Sequence, residues 1–172
     1  LKRFIIENLK HSFIFKNGLK VETIIDIGCG TSRLIGELRN YSDIAIGVDI
    51  SSDAIKIASK CNNGSYFVAG DILRLPIKTN SCDICICLHV VEHINETDLL
   101  LKEMQRIMRE NGKVIFLTPN RRWTEFLPAF LKDSAHVNEF TICELKRLIS
   151  SYFAIEDVRC FSIFTRFGIF NS

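Results

Sequence analysis

The residues best placed to do chemistry stand where three apolar runs stop. The first is IIDIGCGTS at residues 24–32, where β-formers end in Asp26 and the glycines Gly28 and Gly30 flank Cys29. Glycine tolerates positive φ and lets a ligand approach the backbone, and amides opening a following helix favour a negative group. An acid directly ahead of such a turn is poorly matched to a pyrophosphate and suits a ligand with a positive end. The dinucleotide fingerprint G-x-G-x-x-G fails as well, because its last position is Arg33. The second run ends IGVDIS, where Asp49 can accept two hydrogen bonds from a ribose diol; alone, it reads equally as a helix cap. The third ends VAGDILRLP, where Asp71 can accept from an exocyclic amine such as that of adenine, or serve as a turn residue. Taken together, three acids at the ends of successive runs describe a site for a molecule with an ammonium, a ribose and an aminopurine.

Such a set needs a scaffold that brings strand ends to one edge, and the chain reads as one. Short apolar strands are expected at Ile24–Ile27, Ile44–Ile50, Tyr66–Ala69, Asp83–Leu88 and Lys113–Thr118. Asp83–Leu88 is apolar almost throughout, as a strand covered on both faces would be. Helices are expected at Thr31–Asn40, after the cap Ser51 or Ser52, at Thr97–Arg109 and at Thr141–Ser151, from apolar residues three and four apart. Phe153–Phe164 supplies one more strand, or two. The alternation predicts an α/β, Rossmann-like doubly wound domain: a mostly parallel sheet of six to seven strands with helices on both faces. Ligands of such sheets bind at the carboxyl ends of the strands, where strand order reverses.

Composition adds bounds. At 172 residues, with 47% hydrophobic and 24% charged residues, the whole of residues 1–172 reads as a single domain with a real core. A net charge of +2 carries no strong nucleic-acid footprint. Seven cysteines without scaffold spacing read as reduced thiols in a cytoplasmic protein. No run is long enough for a membrane span and no signal-peptide core precedes the domain; the chain opens on helix-like sequence and stops abruptly, as a fragment would.

The three acid-ended motifs, with IMRENGKVIFLTPN after the long helix, resemble the class I S-adenosylmethionine-dependent methyltransferases over about residues 21–151. The resemblance implies S-adenosylmethionine as cofactor: Asp26, Gly28, Cys29 and Gly30 around the methionine moiety, Asp49 on the ribose with Ile50 against the adenine ring, Asp71 on the adenine amine with the Ile72 amide beside it, and Leu88 and His89 bordering the sulfonium. Where the family often has a third glycine this chain has Ser32, which predicts weaker or rearranged cofactor contact there, not its loss. The family's antiparallel seventh strand is expected to be short or cut off, since only Thr165–Ser172 remains for it.

Methyl transfer is an in-line displacement at a sulfonium carbon, so the protein mainly aligns the reactants and excludes water. A base is needed only when the acceptor must lose a proton. His89 and His136 are the candidates, with His93 in VVEHI nearer the acceptor; each reads also as a structural histidine. HVNEFT, which holds His136, resembles a substrate-side motif of small-molecule members. Arg121, Arg122 and Trp123 would stand on the acceptor side, as a clamp for an anionic or aromatic group or as a solvated loop. Residues 120–140 form the expected substrate-side loop, and residues 1–20, basic and apolar by turns, a covering helix or a contact with a membrane surface or a lipid-linked substrate. Cys85, Cys87 and His89 share a strand face but lie too far apart in line to close a tetrahedral shell, so no metal is expected. The reading is a methyltransferase acting on a small or lipid-linked acceptor. Neither an Asn-Pro-Pro-aromatic run nor a Pro-Cys dipeptide occurs, which disfavours amino-purine and cytosine-carbon methylation. RNA or protein methylation and a non-catalytic S-adenosylmethionine-binding subunit are the rival readings; acceptor atom and oligomeric state stay open.

Overall fold

The computed structural model of the chain describes residues 20–32, 34–124, 134–161 and 166–171. The expected covering helix, apart from Lys20, lies outside them, as do Arg33, residues 125–133 of the substrate-side loop and the side chain of Trp123.

Among the described residues, seven strands form one sheet: β1 (Val21–Ile27), β2 (Ser42–Asp49), β3 (Tyr66–Ala69), β4 (Cys82–Leu88), β5 (Met108–Pro119), β6 (Ile155–Phe161) and β7 (Arg166–Asn171). Their order is β3-β2-β1-β4-β5-β7-β6. Neighbours from β3 to β5 pair in parallel, and β7 runs antiparallel to both β5 and β6. The seventh strand is therefore present and six residues long. β5 begins earlier than the apolar run predicts. Its register with β4 slips between Cys82 and Ile84, where Asn111 takes a φ of 64° and a Cβ on Gly112 would crowd the Cys82 carbonyl at 3.1 Å. The Asn-Gly pair read as a helix stop thus makes a bulge inside the strand.

Among the described residues, five helices accompany the sheet: α1 (Leu34–Leu38), α2 (Ser52–Cys61), α3 (Thr97–Ile107), α4 (Arg121–Thr124) and α5 (Ile142–Ser150). α1 is shorter than Thr31–Asn40 because its last turn tightens into a 3-10 turn at Arg39–Tyr41. α4 falls inside residues 120–140, the segment expected to be a substrate-side loop. Side-chain alternation splits the core across the two faces. Ile25, Ile27, Cys85, Cys87, Val114 and Phe116 pack with Leu100, Leu101, Met104 and Ile107 of α3 and Leu145 and Ile149 of α5. Ile24, Ile84, Ile86, Ile115 and Leu117 pack on the other face with Leu34, Ile35 and Leu38 of α1. Both faces are covered, so β1 and β4 can be largely apolar. Order reverses between β1 and β4, which opens a crevice at their carboxyl ends.

Candidate functional site

The turn after β1 folds back onto β2. The amides of Gly28 and Cys29 both donate to the Val48 carbonyl, at 2.8 and 3.0 Å. Gly28 (φ +69°) and Gly30 (φ +55°) are left-handed, a region costly for residues with a Cβ. They differ in what surrounds them. A Cβ on Gly28 would meet Val90 Cγ2 at 2.3 Å, so this glycine lets the β1 and β4 turns touch. A Cβ on Gly30 would meet nothing within 4 Å, so this one faces open space. Ser32, at the third-glycine position, adopts a φ of 25°; its Oγ accepts from the Ile35 amide at 3.2 Å and caps α1. The substitution is absorbed by a short polar side chain that holds its own backbone.

Asp49 closes the loop from below. Its Oδ2 accepts from the Gly30 amide at 2.8 Å and its Oδ1 from the Ser51 amide at 2.9 Å. Ser51 itself caps α2, accepting from Ala54. Asp49 is thus a structural brace of the glycine turn, and each oxygen keeps a lone pair for a ligand hydroxyl. Ile50, next along, is 77% exposed, an apolar side chain held in the open beside a carboxylate. Asp71 caps the 3-10 turn Ile72–Arg74 by accepting from Leu73, so its turn role is real; Ile72 itself is buried. Asp26 is buried at the end of β1. Burial, then the charges of Asp26 and Asp49, push the Cys29 thiol up to about 12, so it lines the loop as a neutral group. Burial likewise raises the Cys85 and Cys87 thiols, core residues on one face of β4.

Across the crevice, β4 ends at half-exposed Leu88 and the chain turns through His89, whose φ is 56° and whose amide bonds the Leu117 carbonyl of β5. His89 Nδ1 lies 3.0 Å from Glu92 Oε1, and the other oxygen accepts from the Thr118 hydroxyl at 2.9 Å. Glu92 is fully buried. Burial is the largest influence on its carboxyl and pushes its pKa up. The hydrogen bonds and charge of His89, with a backbone amide and Thr118, more than reverse that, so the net shift is downward. A carboxylate accepts, so His89 Nδ1 carries the proton. Its Nε2 is buried and has no hydrogen-bond partner among the described residues. Sequence reasoning missed Glu92; the signal was the three-residue spacing from His89, which a 3-10 turn (Val91–His93) stacks on one side.

The expected substrate-side segment docks on this turn. The amides of Val137 and Asn138 donate to the Glu92 carbonyl, both at 2.9 Å, and Asn138 Nδ2 donates to the Ile94 carbonyl at 2.6 Å. His93 and His136 meet edge to face, centroids 4.9 Å apart. Arg121 reaches Glu144 at 2.6 Å and the Glu139 carbonyl at 3.2 Å, which spends its guanidinium on tying the segment to α5. Arg122 is exposed, its amide bonded to Asn120 Oδ1. The structure therefore gathers His89, Glu92, His93, His136 and Thr118 on one side of the crevice, and Gly28, Gly30, Asp49 and Ile50 on the other.

Residues 25–116 match the pattern of the family described as "Methyltransferase domain". The chain is 25% identical over 138 residues to a malonyl-[acyl-carrier protein] O-methyltransferase of Hamiltonella defensa, covering 78% of this chain and 54% of that one. It is 27% identical over 113 residues to a ubiquinone biosynthesis O-methyltransferase of Coxiella burnetii, 63% of this chain and 48% of that one. The chain thus spans about half the length of these relatives. Among solved structures, a protein of Pyrococcus horikoshii superposes with a TM-score of 0.79 at 22% identity, over 99% of this chain and 90% of that one. An S-adenosylmethionine-dependent methyltransferase of Mesorhizobium loti gives 0.77 at 14% identity, over 89% and 91%.

Proposed function

Since the chain belongs to the methyltransferase domain family, whose pattern runs through just over half of its length, we propose that it transfers a methyl group from S-adenosylmethionine to the hydroxyl of a small molecule, with His89 as the base. The residues present fit that cofactor. The open side of Gly30 leaves room for a ligand against the backbone, and exposed Ile50 beside Asp49 offers a flat apolar support next to a diol acceptor. Asp26, Gly28, Cys29 and Gly30 would border the methionine, Asp49 the ribose, Ile50 the adenine face, Asp71 and the Ile72 amide the adenine amine, and Leu88 the sulfonium side. When bound, the cofactor brings the electrophilic methyl and its own leaving group.

The chain's own residues supply alignment and a place for the proton. The observation that carries the reading is His89: its Nδ1 is committed to buried Glu92 and its buried Nε2 has no partner among the described residues. That lone pair takes the hydroxyl proton as oxygen attacks, and Glu92, across 3.0 Å, stabilises the imidazolium. The two relatives described above are O-methyltransferases by name, which supports oxygen as the acceptor atom. Their names also support the finer reading of an acceptor borne on a lipid or carrier group, with the segment 120–140 over it.

The test is transfer of labelled methyl to a panel of hydroxylated small molecules. Label should go to oxygen, and His89→Ala should lower kcat by about 10²–10⁴, partly restored by imidazole in solution. An undiminished rate in His89→Ala removes the base, and label found on nitrogen or on RNA overturns the acceptor class.

A further inference from the structure

We propose that Glu92, His93 and His136 form a binding site for one divalent transition-metal ion of the zinc class. Each residue brings one donor atom to a point where all three lie within 4.8 Å of one another. Donors on a zinc ion at about 2.0–2.1 Å stand roughly 3.4 Å apart in a tetrahedral shell, so small side-chain rotations close the site. Two imidazoles and a carboxylate are a donor set for zinc or iron-type ions and not for magnesium, which favours oxygen ligands and retained water.

Proximity of two histidines and an acid would by itself be packing. What distinguishes this cluster is that every member already has the outer partner that a metal ligand needs. His93 Nδ1 lies 3.0 Å from the Ala135 carbonyl, which only accepts, so Nδ1 carries the proton and the lone pair falls on Nε2. His136 Nδ1 lies 2.9 Å from Glu139 Oε1, and the carboxylate fixes the same tautomer. Glu92 holds its orientation through His89 and Thr118 and is fully buried as an anion. His93 is exposed, which gives the ion a path from solvent. The elements agree: Glu92 and His93 lie on the turn after β4, and the 136–140 segment is pinned to that turn by two backbone hydrogen bonds on the Glu92 carbonyl. Such a site has three protein ligands and an open position for an oxygen, as catalytic zinc sites do. Its bearing on methyl transfer rests on the function proposed above; the binding itself does not.

The experiment uses the full chain stripped of metal with a chelator, in a Cys61→Ser/Cys143→Ser background, because these two cysteines are exposed thiols able to hold zinc. Co²⁺ is titrated against visible absorption and then displaced with Zn²⁺. The expected result is one ion per chain. Glu139→Gln should weaken binding by about 10–100-fold, and His93→Ala and His136→Asn by at least as much. Exposed His93 is a safe site to vary, so a thermal melt of His93→Ala near that of the parent separates ligand loss from unfolding. Binding that survives both His93→Ala and His136→Asn, or that is absent once the two thiols are removed, overturns the proposal. S-adenosylhomocysteine is titrated into the same metal-free samples by calorimetry. Cofactor binding without metal binding sinks this site alone, whereas loss of cofactor binding sinks the functional reading.

Discussion

The two left-handed glycines of the first turn should fail in different ways when each is replaced by alanine. At Gly28 the added Cβ lands 2.3 Å from Val90 Cγ2, on a φ of +69°. The left-handed backbone costs about 1–2 kcal/mol and forcing a methyl into packed atoms about 1–3 kcal/mol, so Gly28→Ala should lose about 2–5 kcal/mol of stability. For a chain of this size that is a fall in Tm of about 4–20 °C. At Gly30 the backbone strain is similar, φ being +55°, but the Cβ meets nothing within 4 Å. Gly30→Ala should lose only about 1–2 kcal/mol and yet weaken S-adenosylhomocysteine at least about tenfold, because the methyl enters the space assigned to the cofactor. Differential scanning calorimetry gives the first quantity and titration calorimetry the second. If Gly30→Ala bound the cofactor product as tightly as the parent, the open side of the turn would not be the cofactor's side, whatever its stability.

Asp49→Asn should weaken the cofactor product and also lower Tm, since hydrogen bonds to a charged acceptor contribute about 1.5–3 kcal/mol and Asp49 accepts from two backbone amides; a lower affinity with an unchanged melt would contradict the bracing role. Phe116→Ala removes one of the largest fully buried side chains and should cost about 3–5 kcal/mol, read by denaturant unfolding, without a specific effect on cofactor affinity in the fraction that stays folded. Glu144 offers a pH test. The Thr141 backbone amide, then Arg121 and the Thr141 hydroxyl, lower its carboxyl from the ordinary 4.5 to about 2. A depressed carboxyl stabilises the fold above its ordinary value, and that contribution drains away as pH falls from about 4.5 to about 2. Carboxyl NMR should place the Glu144 midpoint near the lower value, and Thr141→Ala should move it back up; an ordinary midpoint in the parent would remove the capping box (Thr141 with Glu144) from the account of α5.

The sheet was legible because strand periodicity is local. Ile24–Ile27 and Ile84–Cys87 are buried on both faces, and predominantly apolar runs report that directly. The glycine turn was legible because Gly28 and Gly30 need left-handed backbone that their neighbours do not. Register was not: nothing local marks Asn111-Gly112 as a bulge in β5 when the same pair also ends helices. The proposed acceptor side was half legible. His89, His93 and His136 could be named, but Glu92 could not be ranked, because its importance comes from burial against Thr118 and from a turn that stacks it under His89. The expectation that no metal binds was drawn from neighbours along β4. The cluster proposed here joins residues some forty positions apart, through a loop docked on the Glu92 carbonyl, which no spacing rule displays. Arg121 shows the converse: a residue read either as an acceptor clamp or as part of a solvated loop is paired with Glu144.

The central claim is that the carboxyl edge of this sheet holds S-adenosylmethionine. Titration calorimetry with S-adenosylhomocysteine, beside NAD as a control, tests it most directly, because binding requires no knowledge of the acceptor. One site per chain with a dissociation constant on the micromolar scale, and no heat from NAD, is the predicted result. Tight NAD binding with no response to S-adenosylhomocysteine would contradict it.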